Sequence, residues 1–466
     1  MITFSAADII IIVVFLLGTT LLGMYSSRNQ GKSKRSYLLA GGKVGLVLFV
    51  MTNVSTWYGG ILGVGEYSFR YGIASWFTQG LPYYIFAALF ALFMTERIKN
   101  KSYYSIPEAI KSVYGEGASR IASVLIFILV TPAPYLLMVA YILKLAFDIP
   151  LLYGLILAFL LSVAYLLKGG YKSDLITDAV FFVIMFLGFT FFLYILASKY
   201  GGIQFLAQNL PVAHLTLTGG LPYTVVIVWW LVSLWTFADP GFYQRTTAAG
   251  SIKIARRGIL ISIFFWFLFD LLTNGVGLYS RAIMPELSEP VLAFPLLAEQ
   301  ELKSGYKAFF FIALLATILS TLNSFLFLSG LTFGNDIAGV REENDDNSRT
   351  IFRVRAGILV SGIISIILAL TIPSVIEIWY TIGSICIPGI ILLVISSYFP
   401  AIRVTPGAAY TELIGGPFVS LIWYFAKENV LTDSPAAIIE PMLAGLGFTV
   451  LVHLYNMRKE RARIIK

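Results

Sequence analysis

The hydrophobic pattern of the chain consists of long apolar runs separated by short polar segments. Thirteen windows of mostly apolar residues are each long enough for a helix to cross a hydrocarbon core of about 30 Å. The pattern therefore predicts an all-α polytopic membrane protein with about thirteen transmembrane helices. The windows are 8–27, 45–66, 74–96, 118–143, 150–168, 174–198, 222–243, 257–280, 308–334, 352–372, 375–399, 406–426 and 434–456.

Glycine and proline interrupt two of these windows. The second contains MTNVSTWYGGILGVGEYSFRYG at 51–72, with glycines at 59, 60, 63 and 65, and the seventh contains ADPG at 238–241. Unwound backbone persists in a bilayer only where protein or a water-filled cavity satisfies its polar groups. Two interrupted spans, five apart, are typical of a transporter binding site. The alternative is that the glycines only allow close helix packing and the proline only kinks its helix.

The ninth window carries a cluster of polar side chains at mid-depth. Thr317, Ser320, Thr321 and Ser324 follow an i, i+3, i+4, i+7 spacing and share one helical face, with Asn323 beside it. Hydroxyl and carbonyl oxygens without net charge are ligands that suit an alkali cation. The alternative is that these hydroxyls bond back to their own helix or join neighbouring helices.

A candidate counter-charge lies in the sixth window. Asp178 precedes about twenty apolar residues, and a membrane-embedded carboxylate is costly enough to indicate function. Asp174, which lies beside Lys172, is predicted to be an interfacial charge. A carboxylate that faces hydroxyl oxygens favours a monovalent cation.

Composition and charge agree with a multi-pass protein. Of the 466 residues, 58% are hydrophobic and 12% charged, against about 45–50% and about 25% in soluble domains. The net charge of +8 is unevenly distributed, since alternating spans place 26 of the 33 lysines and arginines on one side. This bias predicts an N-out, C-in orientation in the plasma (inner) membrane. The surplus therefore indicates a lipid bilayer as partner and not nucleic acid.

The remaining chemistry is sparse. The N-terminus lacks a basic region and a cleavage site, which indicates a retained first helix. The single cysteine, Cys386, and the two histidines, His214 and His453, give no metal-ligand cluster and no Ser-His-Asp arrangement. We therefore expect no enzyme activity and no cofactor.

Six stretches, in order along about residues 8–400, resemble the sodium:solute symporter family, which includes proline, pantothenate, sialic acid and sugar cotransporters. They are SYLLAGGKVG, NVSTWYGGILGVGEYSFRYG, SIPEAIKSVYG, GGYKSDLITDAVFFVIMFLG, YQRTTAAGSIKIARRG and LSTLNS with FGNDI. The resemblance implies one membrane domain over 1–466 with a five-plus-five inverted-repeat core. The first repeat would span 45–198 and the second 222–399, with peripheral helices at 8–27 and 406–456.

The resemblance also implies a sodium site between spans 2 and 9. It would use the hydroxyls of Ser320 and Thr321 and three backbone carbonyls, those of Thr317, Asn53 and Thr56. A shifted alignment would move the last two carbonyls to Met51 and Val54. Some family members have a second sodium site, and the positions that match it, besides Ser320, are Asp178, Asn323 and Ser324.

Substrate contacts in the family come from the break in span 2 and from span 7. The matching positions here are Trp57, Tyr58, Gly59, Gly60, Trp235, Thr236 and Asp239, with Trp235 at an aromatic inner gate. The two glycines stand where sugar transporters carry hydrogen-bonding side chains, which disfavours a sugar. For Asp239 three roles remain: meeting a substrate amine, pairing with Arg245, or capping the turn before Pro240.

The sequence thus predicts a sodium-coupled secondary active symporter that imports a small organic solute, an amino acid or carboxylate before a sugar, by alternating access. Sodium would be the coupling ion. Two alternatives are a membrane solute sensor that does not transport and a proton-coupled symporter of the same fold. Sensors usually carry an appended signalling domain, whereas about ten residues follow the last span.

Overall fold

The computed structural model describes residues 2–26, 33–101, 103–339, 347–429 and 434–465, and this part of the chain is all-helical, with no strand. The helices of the first half are α1 (Ala6–Ser26), α2 (Lys34–Leu39), α3 (Leu46–Ser55), α4 (Ile61–Tyr71), α5 (Leu81–Phe93), α6 (Thr95–Lys101), α7 (Ile106–Tyr114), α8 (Glu116–Leu129), α9 (Ala133–Phe147), α10 (Leu151–Tyr200) and α11 (Ile203–Asn209). Those of the second half are α12 (Tyr223–Val232), α13 (Trp235–Ala238), α14 (Pro240–Ala248), α15 (Ile252–Ile283), α16 (Ala293–Glu301), α17 (Tyr306–Leu331), α18 (Asn347–Thr371), α19 (Val375–Tyr398), α20 (Pro406–Asn429) and α21 (Pro441–Ile465).

Nine helical stretches in the described ranges are long and apolar enough to cross a membrane. Large apolar side chains on their outer faces are exposed, among them Ile10, Leu21 and Tyr194, as expected of surface that meets lipid. The polytopic all-α class predicted from the sequence is therefore confirmed. The number thirteen and the N-out, C-in orientation stay predictions.

The ninth predicted window forms α17, the central helix of the molecule. Every residue from 310 to 331 is buried, because α10, α18, α9 and α1 pack around it. A helix that is enclosed on all sides has no face in contact with water. Polar side chains on such a helix therefore need polar partners inside the protein. The stripe at 317–324 therefore lies inside the protein.

Both predicted interruptions are present. In the second window α3 ends at Ser55 and α4 begins at Ile61. In the seventh, α14 begins after Asp239, whose carboxylate accepts the main-chain hydrogen of Gly241 at 2.7 Å, with Pro240 at the first helical position. The fourth window is also broken, between α8 and α9. There Pro132 lacks the hydrogen that a continuous helix would need, a break that the sequence analysis did not predict.

The fifth and sixth windows join into α10, which changes direction at Gly170. This residue has φ 52° and ψ −150°, and a β-carbon there would lie 2.7 Å from Tyr37. A side chain would be strained at such a φ, so glycine is required. The bend directs the following turns, with Asp174 and Asp178, toward α17.

Candidate functional site

The unwound segment between α3 and α4 passes very close to two neighbours. A β-carbon on Gly59 would lie 2.2 Å from Cβ of Thr321, and one on Gly60 would lie 2.0 Å from the ring of Trp379. These two glycines therefore let the broken span touch α17 and α19 directly. Gly59 lies against α17 and does not line the cavity that Trp57 and Gly60 line.

Thr321 links the two elements that the sodium-site prediction combines. Its hydroxyl donates to the main-chain carbonyl oxygen of Thr56 across 2.8 Å. Thr56 and Asn53 are both buried at the end of α3. The hydroxyl of Thr317 bonds back to the carbonyl of Ala313 at 2.7 Å, so its side chain is occupied within α17. This agrees with a role for Thr317 through its carbonyl and not its hydroxyl.

Ser320 connects α17 to the carboxylate of Asp178. The hydroxyl lies 2.6 Å from Oδ1 of Asp178 and 3.0 Å from the hydroxyl of Ser55, and Thr52 donates to the other carboxylate oxygen. All four side chains are fully buried. The structure thus brings the predicted counter-charge and the predicted hydroxyl ligand together, and it adds Thr52 and Ser55 from α3.

Asp174 is buried, and its predicted interfacial position is wrong. It lies one turn before Asp178 on the same face of α10, and Oδ2 accepts the hydroxyl hydrogen of Ser324 at 2.6 Å. The bend at Gly170 turns this part of α10 inward. Asn323 is also buried beside this pair, on α17.

Arg245 of α14 reaches the same cluster, which the sequence analysis did not predict. Its guanidinium donates to the hydroxyl of Thr56 at 2.6 Å and to that of Ser324 at 3.4 Å, and only 6% of the residue is exposed. The only sequence signal was an arginine directly after an interrupted span. Two carboxylates and one guanidinium therefore share one buried network.

A cavity of about 140 Å³ lies beside the network. Of the predicted substrate residues it is lined by Trp57, Tyr58, Gly60, Trp235 and Asp239, whereas Gly59 and Thr236 lie outside its lining. The rest of its wall combines aromatic rings with polar side chains, among them Ser75, Gln79 and Asn274. Further lining residues from other elements are Tyr83, Tyr135, Trp229, Phe325 and Trp379.

The structure distinguishes two of the three roles considered for Asp239. Its side chain caps α14 through Gly241 and also lines the cavity. In the described structure it forms no ion pair with Arg245, whose guanidinium donates to Thr56 and Ser324. Asp239 therefore caps α14 and does not pair with Arg245. Its position on the cavity wall allows contact with a substrate.

Asp270 is a second carboxylate on the cavity wall that the sequence analysis did not single out. It lies near the middle of α15, is 7% exposed, and accepts the hydroxyl hydrogen of Tyr84. An aspartate within the apolar eighth window was the available signal, because carboxylates at that depth are costly. Its direction toward the cavity could be seen only in the fold.

Comparisons with known proteins show the family and the fold of the chain. A model of the sodium:solute symporter family matches residues 37–415, and comparison with curated proteins gave no match. A solved sodium-coupled sialic acid symporter, substrate-bound and outward-open, is similar over 98% of each chain, with a TM-score of 0.82 and 16% identity. A nucleobase-cation-symport-1 family transporter, closed with bromovinylhydantoin bound, is similar over 90% of this chain and 94% of its own, with a TM-score of 0.59 and 10% identity. At these identities the similarity shows a shared fold.

Proposed function

Because this chain belongs to the sodium:solute symporter family, we propose that it is a secondary active symporter in which inward sodium flow drives uptake of a small organic solute across the plasma (inner) membrane. Its family and structural neighbours are transporters. The observation that carries the proposal is the contact of α17 with the unwound segment between α3 and α4. Hydroxyl, carbonyl and carboxylate oxygens meet there within the protein.

For the ion we propose one main site between these elements. Its ligands are the hydroxyls of Ser320 and Thr321 and the carbonyls of Thr317, Asn53 and Thr56. Asp178 supplies the counter-charge, because it already holds the hydroxyl of Ser320. Uncharged oxygens beside one carboxylate favour a monovalent over a divalent cation.

We propose that Arg245 supplies the positive charge at the other end of the network. A second sodium ion would use Asn323 and Ser324 with Asp178, but the hydroxyl of Ser324 is shared between Asp174 and Arg245. The guanidinium thus stands where a second cation would otherwise be needed. One sodium ion per cycle is the stoichiometry that this arrangement favours.

For the solute we propose an amino acid or small carboxylate before a sugar. Aromatic residues are the largest group in the cavity wall, beside a few polar side chains such as Gln79 and Asn274, and Gly60 offers only main-chain groups. A hexose would bury many hydroxyls, and each one without a partner is costly. The ends of broken helices favour an anionic group, which suits a carboxylate.

We propose that coupling works through the unwound segment. Sodium between α17 and Thr56 would fix the segment that also presents Trp57, Tyr58 and Gly60 to the cavity. Binding of one ligand then favours binding of the other, by a coupling free energy typically of about 1–3 kcal/mol. The inverted repeats at 45–198 and 222–399, within one domain, are the proposed moving units.

Thermal unfolding of the purified protein tests the ion site. A ligand that binds only the folded state stabilises it by about 2.7 kcal/mol at 100 times Kd. We expect sodium chloride to raise the melting temperature above that in equimolar potassium chloride, and Thr321→Ala to remove the difference. Equal melting temperatures in both salts, with a response to pH alone, would favour the proton-coupled alternative.

A further inference from the structure

We propose that the cavity beside the ion site binds its solute through a positively charged ammonium group, held by Asp270 and Asp239 within aromatic walls. This inference rests on the proposed function, because the ammonium-bearing solute would be the one that is transported. It narrows the solute class to amino acids and small amines, including quaternary ones. Plain carboxylates are then excluded.

Aromatic rings line much of the cavity wall. Indole and phenol rings surround the cavity from five different helices and the unwound segment, and such rings attract cations over their faces. Trp57 lies 4.8 Å from Tyr83, edge to face, and 5.0 Å from Trp266, tilted, between ring centroids, so neighbouring rings restrict its position. Tyr135 and Trp379 lie 6.0 Å apart on the opposite elements, α9 and α19. A rigid aromatic enclosure of this kind suits an alkylated or primary ammonium.

Asp270 carries the second argument. It is buried at the cavity wall near the middle of a membrane-spanning helix, where it accepts the hydroxyl hydrogen of Tyr84 and lies beside the hydroxyl of Tyr58. Among the described residues, no lysine, arginine or histidine forms an ion pair with it. A buried carboxylate without a cation is costly, and a cationic solute would supply the missing charge.

Asp239 adds a second carboxylate on the α13–α14 side of the same cavity. One of its oxygens caps α14 through Gly241. The guanidinium of Arg245 lies on that side and reduces its negative field, so Asp270 is the stronger of the two anchors.

The composition of the wall also disfavours a solute that carries only a negative charge. None of the described residues that line the cavity is a lysine, arginine or histidine. A solute with only a carboxylate would face two buried carboxylates and several ring faces, all of them repulsive to an anion. An amino acid is compatible, because its ammonium can meet Asp270 while its carboxylate meets main-chain hydrogens at the unwound segment.

The size of the cavity limits the solute. At about 140 Å³ it is close to the engineered cavity of about 150 Å³ that holds one benzene molecule. A small amine or amino acid fits this volume.

Binding of matched pairs to the purified full-length protein tests the inference. The cationic probes are tetramethylammonium, choline and alanine, and the uncharged or anionic partners are 3,3-dimethylbutan-1-ol for choline and lactate for alanine. Titrations monitor tryptophan fluorescence in sodium chloride and in potassium chloride. We expect saturable binding of at least one ammonium probe, at least about tenfold tighter than its partner. Saturable binding of lactate or the neutral alcohol in preference to the ammonium probes, or no binding of any ammonium probe, would overturn the inference.

Variants separate charge from structure. Asp270→Asn keeps the volume and an acceptor for Tyr84, and it should weaken ammonium binding by about tenfold or more without a comparable loss for the neutral alcohol. Trp235→Phe should bind nearly as well as the native protein, whereas Trp235→Leu should bind less tightly. Glu412→Gln is the matched control, because Glu412 is a buried carboxylate in α20 that does not line the cavity. Equal ammonium affinity in Asp270→Asn and Glu412→Gln would contradict the role of Asp270.

Failure of this inference can be told from failure of the proposed function. If sodium stabilises the protein but a carboxylate or sugar binds in place of an ammonium, the solute class is wrong and the symporter proposal stands. If ammonium probes bind equally in sodium and potassium, the cavity inference stands and sodium coupling is wrong.

Discussion

The hydroxyl of Thr321 and the main-chain carbonyl oxygen of Thr56 lie 2.8 Å apart, and this hydrogen bond joins the central helix α17 to the end of α3 where the chain unwinds. Both oxygens are buried and would become ligands if a cation lay between them. Such an ion would hold the same two elements together more strongly, since charge-assisted contacts are stronger than neutral hydrogen bonds. Ion binding at this contact would therefore fix the conformation of the broken span.

The first prediction concerns the hydroxyl ligands. Ser320→Ala and Thr321→Ala should each weaken sodium affinity by roughly tenfold to a hundredfold, because each removes an oxygen that faces a charge, worth about 1.5–3 kcal/mol. Thr317→Ala is the matched control, since its hydroxyl bonds within α17 and only its carbonyl is proposed as a ligand. Sodium titrations of melting temperature measure all three variants. A loss in Thr317→Ala as large as in Thr321→Ala would exclude this ligand set.

The second prediction concerns the counter-charge. Asp178→Asn keeps the volume and an acceptor for Ser320 and Thr52 but removes the negative charge, so sodium affinity should fall by about tenfold or more. Glu412→Gln should leave sodium affinity unchanged. Binding of radioactive sodium to the purified variants gives both values and the Hill coefficient. Native affinity in Asp178→Asn would make this carboxylate structural.

The third prediction concerns Gly59. A β-carbon at this position would lie 2.2 Å from Cβ of Thr321, so Gly59→Ala must push the unwound segment away from α17. We expect a loss of about 1–3 kcal/mol in stability together with weaker sodium binding. Gly18→Ala in α1 has no atom within 4 Å of the new carbon and serves as the control. Unaltered sodium affinity in a folded Gly59→Ala protein would show that this approach does not shape the site.

The fourth prediction concerns Arg245. Arg245→Gln removes the guanidinium that donates to Ser324, the hydrogen-bond partner of Asp174, which should lower the melting temperature in potassium chloride. Sodium should then restore more stability than in the native protein, and the Hill coefficient for sodium should rise above one, because a second ion can take the place of the guanidinium. Arg245→Lys keeps the charge, so its Hill coefficient for sodium should stay near one. A native Hill coefficient of two would reject the proposal that Arg245 replaces the second ion.

The polar stripe on α17 could be predicted from the sequence because its spacing places four hydroxyls on one face, and the partners on that face are as polar as expected. The interrupted spans could also be predicted, because helix propensity depends on the local sequence. Glycine pairs and an Asp-Pro-Gly sequence disfavour helix wherever they occur, and both breaks lie at these residues.

The partners of the stripe were less predictable, because direction within a buried helix depends on distant parts of the chain. Asp174 was expected at the interface from its neighbour Lys172, but the bend at Gly170 turns it toward Ser324. Arg245 and Asp270 carried no periodic signal. Only the packing of α14 and α15 around the unwound segment brings them to the network and to the cavity.

Uptake into proteoliposomes tests the central claim most directly, with radiolabelled alanine, choline, lactate and glucose offered under an inward sodium gradient, under equal sodium, and in potassium alone. We predict that an ammonium-bearing solute accumulates inside above its external concentration only under the gradient, and that gramicidin or Thr321→Ala abolishes the accumulation. Solute that binds in a sodium-dependent manner without accumulating, or that accumulates equally in potassium, would contradict sodium-coupled symport.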